Sequence, residues 1–285
     1  MEKKSVLITG TSTGIGRACA LHLAKLGFKV FAGIRKPEDG DKLVKEDHGI
    51  IQPVILDVTR EDSIKQAAAL IDGESEYPLF GLVNNAGIGM TGVIEAIPVD
   101  TVRKMYEVNV MGVFLVTRAL LPLLRENKGR IVNIGSSAGI LSTCGHSTYS
   151  ATKFAVRALT DGMRMELEQF GMYVSLVSPG AIESAMWEKN QAYRQEMRKN
   201  TDPALQDVYK MFIVAGDRAE KRVKPISTDY VTKVVAHALT AKKPKCEYLV
   251  GKDARILKLL SRLPKRMVNK MIIDHMKKAL KNEMN

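Results

Sequence analysis

Tyr149 and Lys153 stand four residues apart in Ser147-Thr148-Tyr149-Ser150-Ala151-Thr152-Lys153-Phe154. On a helix that spacing puts both side chains on one face, so the phenol and the ammonium look into the same space. Free tyrosine titrates near pH ~10 and exchanges protons poorly at neutrality, whereas a fixed positive charge beside it favours the phenolate and lowers that value. The pair is therefore a candidate acid-base catalyst. A Tyr and a Lys at this spacing also occur in helices that catalyse nothing, so the pair takes its meaning from what surrounds it.

The elements that must position it begin at the N-terminus. Ser5-Val6-Leu7-Ile8-Thr9 is a short β-branched run, and Ile15, Ala18, Leu21, Leu23 and Leu26 recur at helical spacing. Between them the chain turns through Gly10-Thr11-Ser12-Thr13-Gly14-Ile15-Gly16. Glycines there let the backbone approach a pyrophosphate, and the helix N-terminus attracts its charge. Further apolar runs at 29–34, 52–56, 79–83, 130–134, 172–177 and 247–250 alternate with helical patterns. That alternation is the signature of an α/β domain with a parallel sheet. Val99 to Leu124 reads as one long apolar helix, and Asn109 within it is an amide that needs a partner.

Composition bounds the answer. The 285 residues and 45% hydrophobic content suffice for one large domain with a full core, and the net charge of +12 points to anionic partners. Cys19, Cys144 and Cys246 are scattered, which reads as free thiols in a cytoplasmic compartment, with no metal site. There is neither a nucleic-acid recognition motif nor an aromatic stacking platform. The N-terminus leaves no room for a signal peptide, and no uninterrupted apolar stretch is read as long enough to span a bilayer.

The Gly-x-x-x-Gly-x-Gly turn resembles that of the short-chain dehydrogenase/reductase family, and the resemblance runs from about Ser5 to Gly251. The segments that carry it are this turn, Asn84-Asn85-Ala86-Gly87, Ser136 thirteen residues before the tyrosine, Tyr149-x-x-x-Lys153, and Ser178-Pro179-Gly180. Within the family it looks most like the 17β-hydroxysteroid and retinol dehydrogenase-like branch. The resemblance implies a Rossmann-type doubly wound sheet of seven parallel strands, order 3-2-1-4-5-6-7, with helices on both faces. It implies a catalytic tetrad of Asn109, Ser136, Tyr149 and Lys153, with Ser137 the fallback for the serine. Tyr149 would be the general acid/base and Ser136 would hold the substrate oxygen. Lys153 would lower the tyrosine pKa and bind ribose, and Asn109 would hold a water for proton relay.

The cofactor implied is NADP(H), with NAD(H) second. Gly10, Thr11, Ser12, Thr13, Gly14, Ile15 and Gly16 would surround its phosphates. Asp57 and Val58 would meet the adenine; Asn85, Ala86, Gly87, Tyr149 and Lys153 would line the middle, and Pro179, Gly180, Ile182 and Ser184 the nicotinamide. After the second strand the chain has Ile34-Arg35-Lys36 where an acidic residue would favour NAD, and Arg35 can fork onto a 2'-phosphate. The same residues also read as a solvated loop, and Asp57 equally reads as a helix cap.

Residues 1–251 read as one catalytic domain. Its segment 185–225, rich in Met, Tyr and Trp, is either a pocket for a bulky apolar substrate, with Met186 and Trp187 touching it, or only a packed lid. His146, three residues before Tyr149, reads either as a border of that pocket or, in preference, as a surface-loop residue. The remaining 252–285 form basic amphipathic helices that either pack on the domain or lie on an anionic membrane. The function expected is oxidoreduction of a lipophilic carbonyl or alcohol of steroid, retinoid or fatty-acyl type by a homodimer or homotetramer. The alternative is an NADPH-sensing regulator without turnover.

Overall fold

The β-branched run at Ser5–Ile8 becomes an inner strand of the sheet in the computed structural model, which describes residues 3–46 and 50–284, and of these not the side chains of 185–189, 220, 283 and 284. The strands are β1 Ser5–Ile8, β2 Lys29–Ile34, β3 Ile51–Ile55, β4 Leu79–Asn84, β5 Arg130–Ile134, β6 Tyr173–Pro179 and β7 Glu247–Val250. All pair in parallel, in the order β3-β2-β1-β4-β5-β6-β7. The expected order is the observed one.

The helices are α1 Gly14–Lys25, α2 Pro37–Val44, α3 Glu61–Asp72, α4 Val99–Tyr106, α5 Gly112–Glu126 and α6 Ser147–Glu168. They continue as α7 Ala185–Asn200, α8 Pro203–Val208, α9 Lys210–Arg222, α10 Asp229–Thr240, α11 Lys252–Leu260 and α12 Lys265–Met284. A parallel sheet is covered on both faces, so its strands are apolar throughout rather than alternating. Val6 and Ile8 meet Leu23 of α1 and Val235 and Leu239 of α10 on one face. Leu7 meets Ile64 of α3 and Val116 and Leu120 of α5 on the other.

Two expectations fail around Asn109. The single helix from Val99 to Leu124 is divided by a π-turn at Glu107–Met111, with Asn109 inside it. Such one-turn insertions interrupt the regular ladder and re-aim the side chains they carry. The whole span Val99–Glu126 is also long and apolar enough, by length and composition, to cross a bilayer, contrary to expectation. Here α5 lies on β4 and α3, with Val113, Val116, Leu120 and Leu124 buried.

Behind the site, a charged cluster ties three elements together. Arg157 of α6 donates to Gly139 O (2.8 Å) and Glu247 Oε1 (2.5 Å), and Lys258 of α11 donates to Glu247 Oε2 (3.0 Å). Burial alone would raise the Glu247 carboxyl, but the hydrogen bonds and charges of Arg157 and Lys258 overcome it and hold the value at about 2. The folded value lies below the unfolded one, so this stabilisation is full above pH ~4.5 and is lost as pH falls toward 2. Glu247→Gln is expected to cost about 2 kcal/mol at pH 7, read by urea denaturation, with the gap to wild type closing near pH 2. A gap independent of pH would mean that packing, not charge, is what the substitution removes.

Candidate functional site

The turn between β1 and α1 is possible because of its glycines. Gly10 and Gly14 sit at φ +69° and +59°, in the left-handed region. A Cβ on Gly10 would come 2.9 Å from Ala86 Cα, and one on Gly16 would overlap Gly10 O and Asn85 Nδ2. The turn is then pinned from both sides. Asn85 N and Ala86 N donate to Thr9 Oγ1 (3.0 and 2.9 Å), and Asn85 Nδ2 donates to the carbonyls of Thr9 and Gly10 (2.9 Å each). Thr11, fully buried, gives both its N–H and its hydroxyl to Gly33 O (2.9 and 3.0 Å). The side chains of Thr11 and Asn85 are therefore spent on shaping the turn, and any ligand contact falls to Ser12, Thr13, the glycines and the backbone.

The donor set fits a pyrophosphate. No side chain caps α1, no acidic residue stands in its first turn, and Ile15 leans onto the core, so the first amides of a three-turn helix stay open to an anion. Ser184 stands opposite, its Cβ 3.2 Å from where a Gly14 Cβ would be. The β6 and β1 loops thus face each other across one crevice at the carboxyl edge of the sheet, where open α/β sheets bind ligands.

Further along that edge, Arg35 is exposed at the end of β2 and acts on Asp57 at the end of β3. Burial acts to raise the Asp57 carboxyl. The amide and hydroxyl of Thr59 (3.0 and 2.7 Å to Oδ1), with Arg35 and Arg60, more than offset this and hold it low. Asp57 does not cap the following helix, as the competing reading required: α3 starts at Glu61 after Arg60. Val58 is buried, packed so closely on Gly112 that a Cβ there would lie 2.7 Å from Val58 Cγ2.

The chemical groups converge at the ends of β4 and β5. Ser136 follows β5 in extended backbone and Tyr149 lies in the first turn of α6, near enough for the serine hydroxyl to favour the phenolate. Ser136 Oγ also accepts from Ala138 N (3.1 Å). The turn lies backbone to backbone on α6, since a Cβ on Gly139 would come 2.8 Å from Lys153 O. Lys153 Nζ donates to Ile134 O (3.0 Å) and lies 5.9 Å from the centre of the Tyr149 ring.

Asn109 Oδ1 accepts from Ile88 N (2.8 Å), and Nδ2 donates to Ile88 O (2.8 Å) and Thr152 Oγ1 (3.1 Å). Both amide protons are used, so Asn109 clamps the irregular segment that follows Gly87 to α6. A Cβ on Gly87 would lie 3.3 Å from Asn109 Oδ1 and 3.7 Å from Lys153 Nζ.

The electrostatics differ from expectation in one respect. Burial raises the Tyr149 phenol, partly offset by Ser136, and burial lowers Lys153 to about 8. Lys153 is not among the groups that lower the tyrosine. The physical reason is that desolvation disfavours both charged forms, phenolate and ammonium alike. At neutral pH Lys153 remains mostly protonated.

Past β6, Gly180 N donates to Val250 O (2.8 Å), Ala181 N donates to Asp253 Oδ2 (2.7 Å), and a Cβ on Gly180 would overlap the Asp253 carboxylate. Asp253, on α11, was not anticipated from the sequence; its only signal is an acid in the first turn after Gly251. Ile182 is buried and bridges to Ile226, which closes the base of the lid. The side chains of Met186 and Trp187 lie outside the described residues.

The lid, α7 to α9, covers a cavity of ≈ 100 Å³ lined by Thr91, His146, Met197, Tyr209, Phe212 and Ile213 among others. It is fastened by Tyr209 OH donating to Glu95 Oε2 (2.9 Å) and by Arg198 paired with both oxygens of Asp217 (3.0 and 2.5 Å). His146, in the loop before α6, is half-buried, and of its two readings the pocket border is the one observed. It lines the cavity, and burial outweighs the opposing bond to Cys144 O and, with a smaller contribution from Arg194, keeps its pKa low. The sequence left both readings open because the lid reaching it is some fifty residues downstream.

Residues 4–195 match the family profile described as short chain dehydrogenase. The chain is 36% identical over 260 residues to the 3-amino-tetrahydro-pyrrolizinone reductase of Xenorhabdus hominickii, covering 90% of this chain and 89% of that protein. It is 36% identical over 273 residues to 17-beta-hydroxysteroid dehydrogenase type 6 of Bos taurus, covering 93% and 86%. The crystal structure of a short-chain dehydrogenase from Streptomyces avermitilis superposes with a TM-score of 0.74 at 31% identity, covering 91% of this chain and 92% of that one. Other structures of this fold, at 24–25% identity, carry NADP, NADPH or NADH.

Proposed function

The chain belongs to the short-chain dehydrogenase family, and from that premise we propose that it is an NADP(H)-dependent oxidoreductase interconverting a lipophilic carbonyl and its alcohol, with Tyr149 as general acid/base. The observation that carries this reading is the Ser136–Tyr149 hydroxyl pair at the carboxyl edge of the sheet, with Lys153 and Asn109 directly behind it.

The nicotinamide dinucleotide, when bound, supplies or takes up the hydride. The open amides of α1, with Gly10, Ser12, Thr13, Gly14 and Gly16, would hold its pyrophosphate. Asp57 and Val58 would border the adenine; Ala86, Gly87, Pro179, Gly180, Ile182 and Ser184 would line the rest. In the reductive direction Tyr149 donates its proton to the carbonyl oxygen and Ser136 donates a hydrogen bond to that oxygen as charge develops. A phenol whose pKa is raised by burial stays protonated at pH 7 and is ready to act as the acid. Lys153 supplies a positive charge next to it. Asn109 is a positioning residue, since its amide is spent on Ile88 and Thr152, and it keeps α6 in register with the Gly87 segment.

NADP(H) over NAD(H) is supported by Arg35, which is exposed and already within electrostatic reach of Asp57 at the adenine end. A lipophilic substrate is supported by the lid, whose Met197, Phe212 and Ile213 face the cavity next to His146. A homodimer or homotetramer is supported by Met111 and Phe114 near the π-turn and Phe154 and Met165 on α6, all exposed apolar side chains on two long helices. We place the protein in the cytoplasm, in keeping with the free thiols of Cys19, Cys144 and Cys246.

The test is consumption of NADPH and of NADH by wild type and by Arg35→Ala, against carbonyls graded from small aldehydes to steroid ketones and retinal. Turnover is expected to rise with apolar size. Arg35→Ala is expected to raise KM for NADPH about tenfold or more, as the loss of a charge-assisted pair implies, and that for NADH by less than about twofold. Equal loss with both nucleotides would remove Arg35 from the phosphate site. Silence across the panel with NADPH still bound would favour a sensor instead of an enzyme.

A further inference from the structure

More than half of the net charge of +12 lies in residues 252–285, which carry ten Lys and Arg against three Asp and Glu. The two helices there are integral to the body of the protein. α12 packs on α9 of the lid, burying Val268 and Ala279, and α11 lies against β7 with Ala254 buried. Of the charged groups on α11, Asp253 accepts from Ala181 N and Lys258 donates to Glu247.

Beside Asp253, α11 leaves basic and apolar side chains in solvent. At 3.6 residues per turn Lys252, Arg255, Ile256 and Leu259 share one face, and Arg262 follows one turn on. All five are exposed, Ile256 by 57% and Leu259 by 64%. Among the described residues no ion pair reaches Lys252, Arg255 or Arg262, and the helix's one acid, Asp253, bonds Ala181 N instead. Directly after the turn at Pro264, Met267 and Met271 stand exposed one helical turn apart on α12, with Lys270 beside them.

We propose that this face of α11, continued by Met267 and Met271, docks on an anionic lipid bilayer. Two exposed branched aliphatic side chains ringed by three unpaired cations match an interface that offers both acyl chains and negative headgroups. A nucleic acid would satisfy the cations and leave Ile256 and Leu259 in water, and a second copy would oppose like charges. The inference does not depend on the substrate, but its consequence for a lipophilic one is direct. Through α12 the docked face is packed against α9, which lines the cavity, so the pocket and the bilayer contact belong to one assembly.

The experiment is co-sedimentation of the full chain with phosphatidylcholine vesicles, with and without phosphatidylglycerol, at low and high salt. Binding is expected only to the anionic vesicles and is expected to weaken with salt. The triple variant Lys252→Ala, Arg255→Ala, Arg262→Ala should bind about a hundredfold more weakly, and Ile256→Ser with Leu259→Ser about tenfold more weakly. Both variants should keep the wild-type NADPH affinity and mass in solution. Binding unaffected by either variant, or equal binding to neutral vesicles, overturns the proposal. A changed oligomeric mass in the serine variant would assign the face to a second copy. Binding to duplex DNA that the serine substitutions leave intact, without vesicle binding, would assign it to nucleic acid.

Discussion

Tyr149→Phe is expected to lower kcat for carbonyl reduction by about three orders of magnitude or more while changing the dissociation constant for NADPH less than about threefold. The substitution removes one oxygen and keeps the ring. Ser136 keeps its bond from Ala138 N, and Lys153 keeps its bond to Ile134 O, so the positions of both neighbours survive. Only the proton donor is lost. Single-turnover oxidation of NADPH reads the chemical step, and fluorescence titration reads binding. If affinity falls in parallel with rate, the phenol is part of the scaffold of the site and the catalytic role fails.

Lys153→Met is expected to make the protein more stable and nearly inactive. Burial lowers the ammonium to about 8, roughly two units below an unperturbed lysine, and that shift represents about 3 kcal/mol spent on keeping a charge in the core. The loss of the bond to Ile134 O takes back part of this, so a net gain of about 2 kcal/mol at pH 7 is the expectation. The sign follows from linkage. Between pH ~8 and ~10 the unfolded chain binds a proton that the folded one has released, so wild-type stability rises with pH across that window. The methionine variant lacks this rise, and the gap between the two should close by pH ~10.

Urea denaturation at pH 7 and at pH 9.5 measures both quantities. A variant less stable than wild type at pH 7 would mean that the ammonium is well solvated where it sits. In wild type the same group predicts that reductive kcat/KM falls as pH rises through about 8, when Lys153 loses its charge.

These two residues also show how much of the site is legible in one dimension. Tyr149 and Lys153 are four apart on one helix, and local spacing alone places them together. The glycine turn is equally local, because a left-handed backbone at Gly10 and Gly14 is a property of those residues before any packing occurs. The strands were legible for the same reason, and their order followed from the resemblance.

Asn109 is different. Its buried amide flagged itself as needing a partner, but that the partners are Ile88 and Thr152, and that the helix breaks into a π-turn to reach them, depends on two elements meeting in space. Whether His146 borders the pocket stayed open in the sequence because the lid that covers it is remote. Asp253 and Glu247 carried no signal of their role, because their partners, Ala181 and Arg157, are 72 and 90 residues away.

The charges of the pair fall on the same side of that line. From sequence, a lysine beside a tyrosine lowers its pKa; in the folded protein burial acts on both groups and moves them the other way. By itself, then, the sequence determined the fold class, the backbone of the glycine turn and the pairing of Tyr149 with Lys153 on one helix, since each rests on backbone geometry and short spacing. Only the tertiary structure decided which amide clamps the site, which face of the tail is left in solvent, and where the protons reside, because desolvation and long-range contacts exist only once the core has closed.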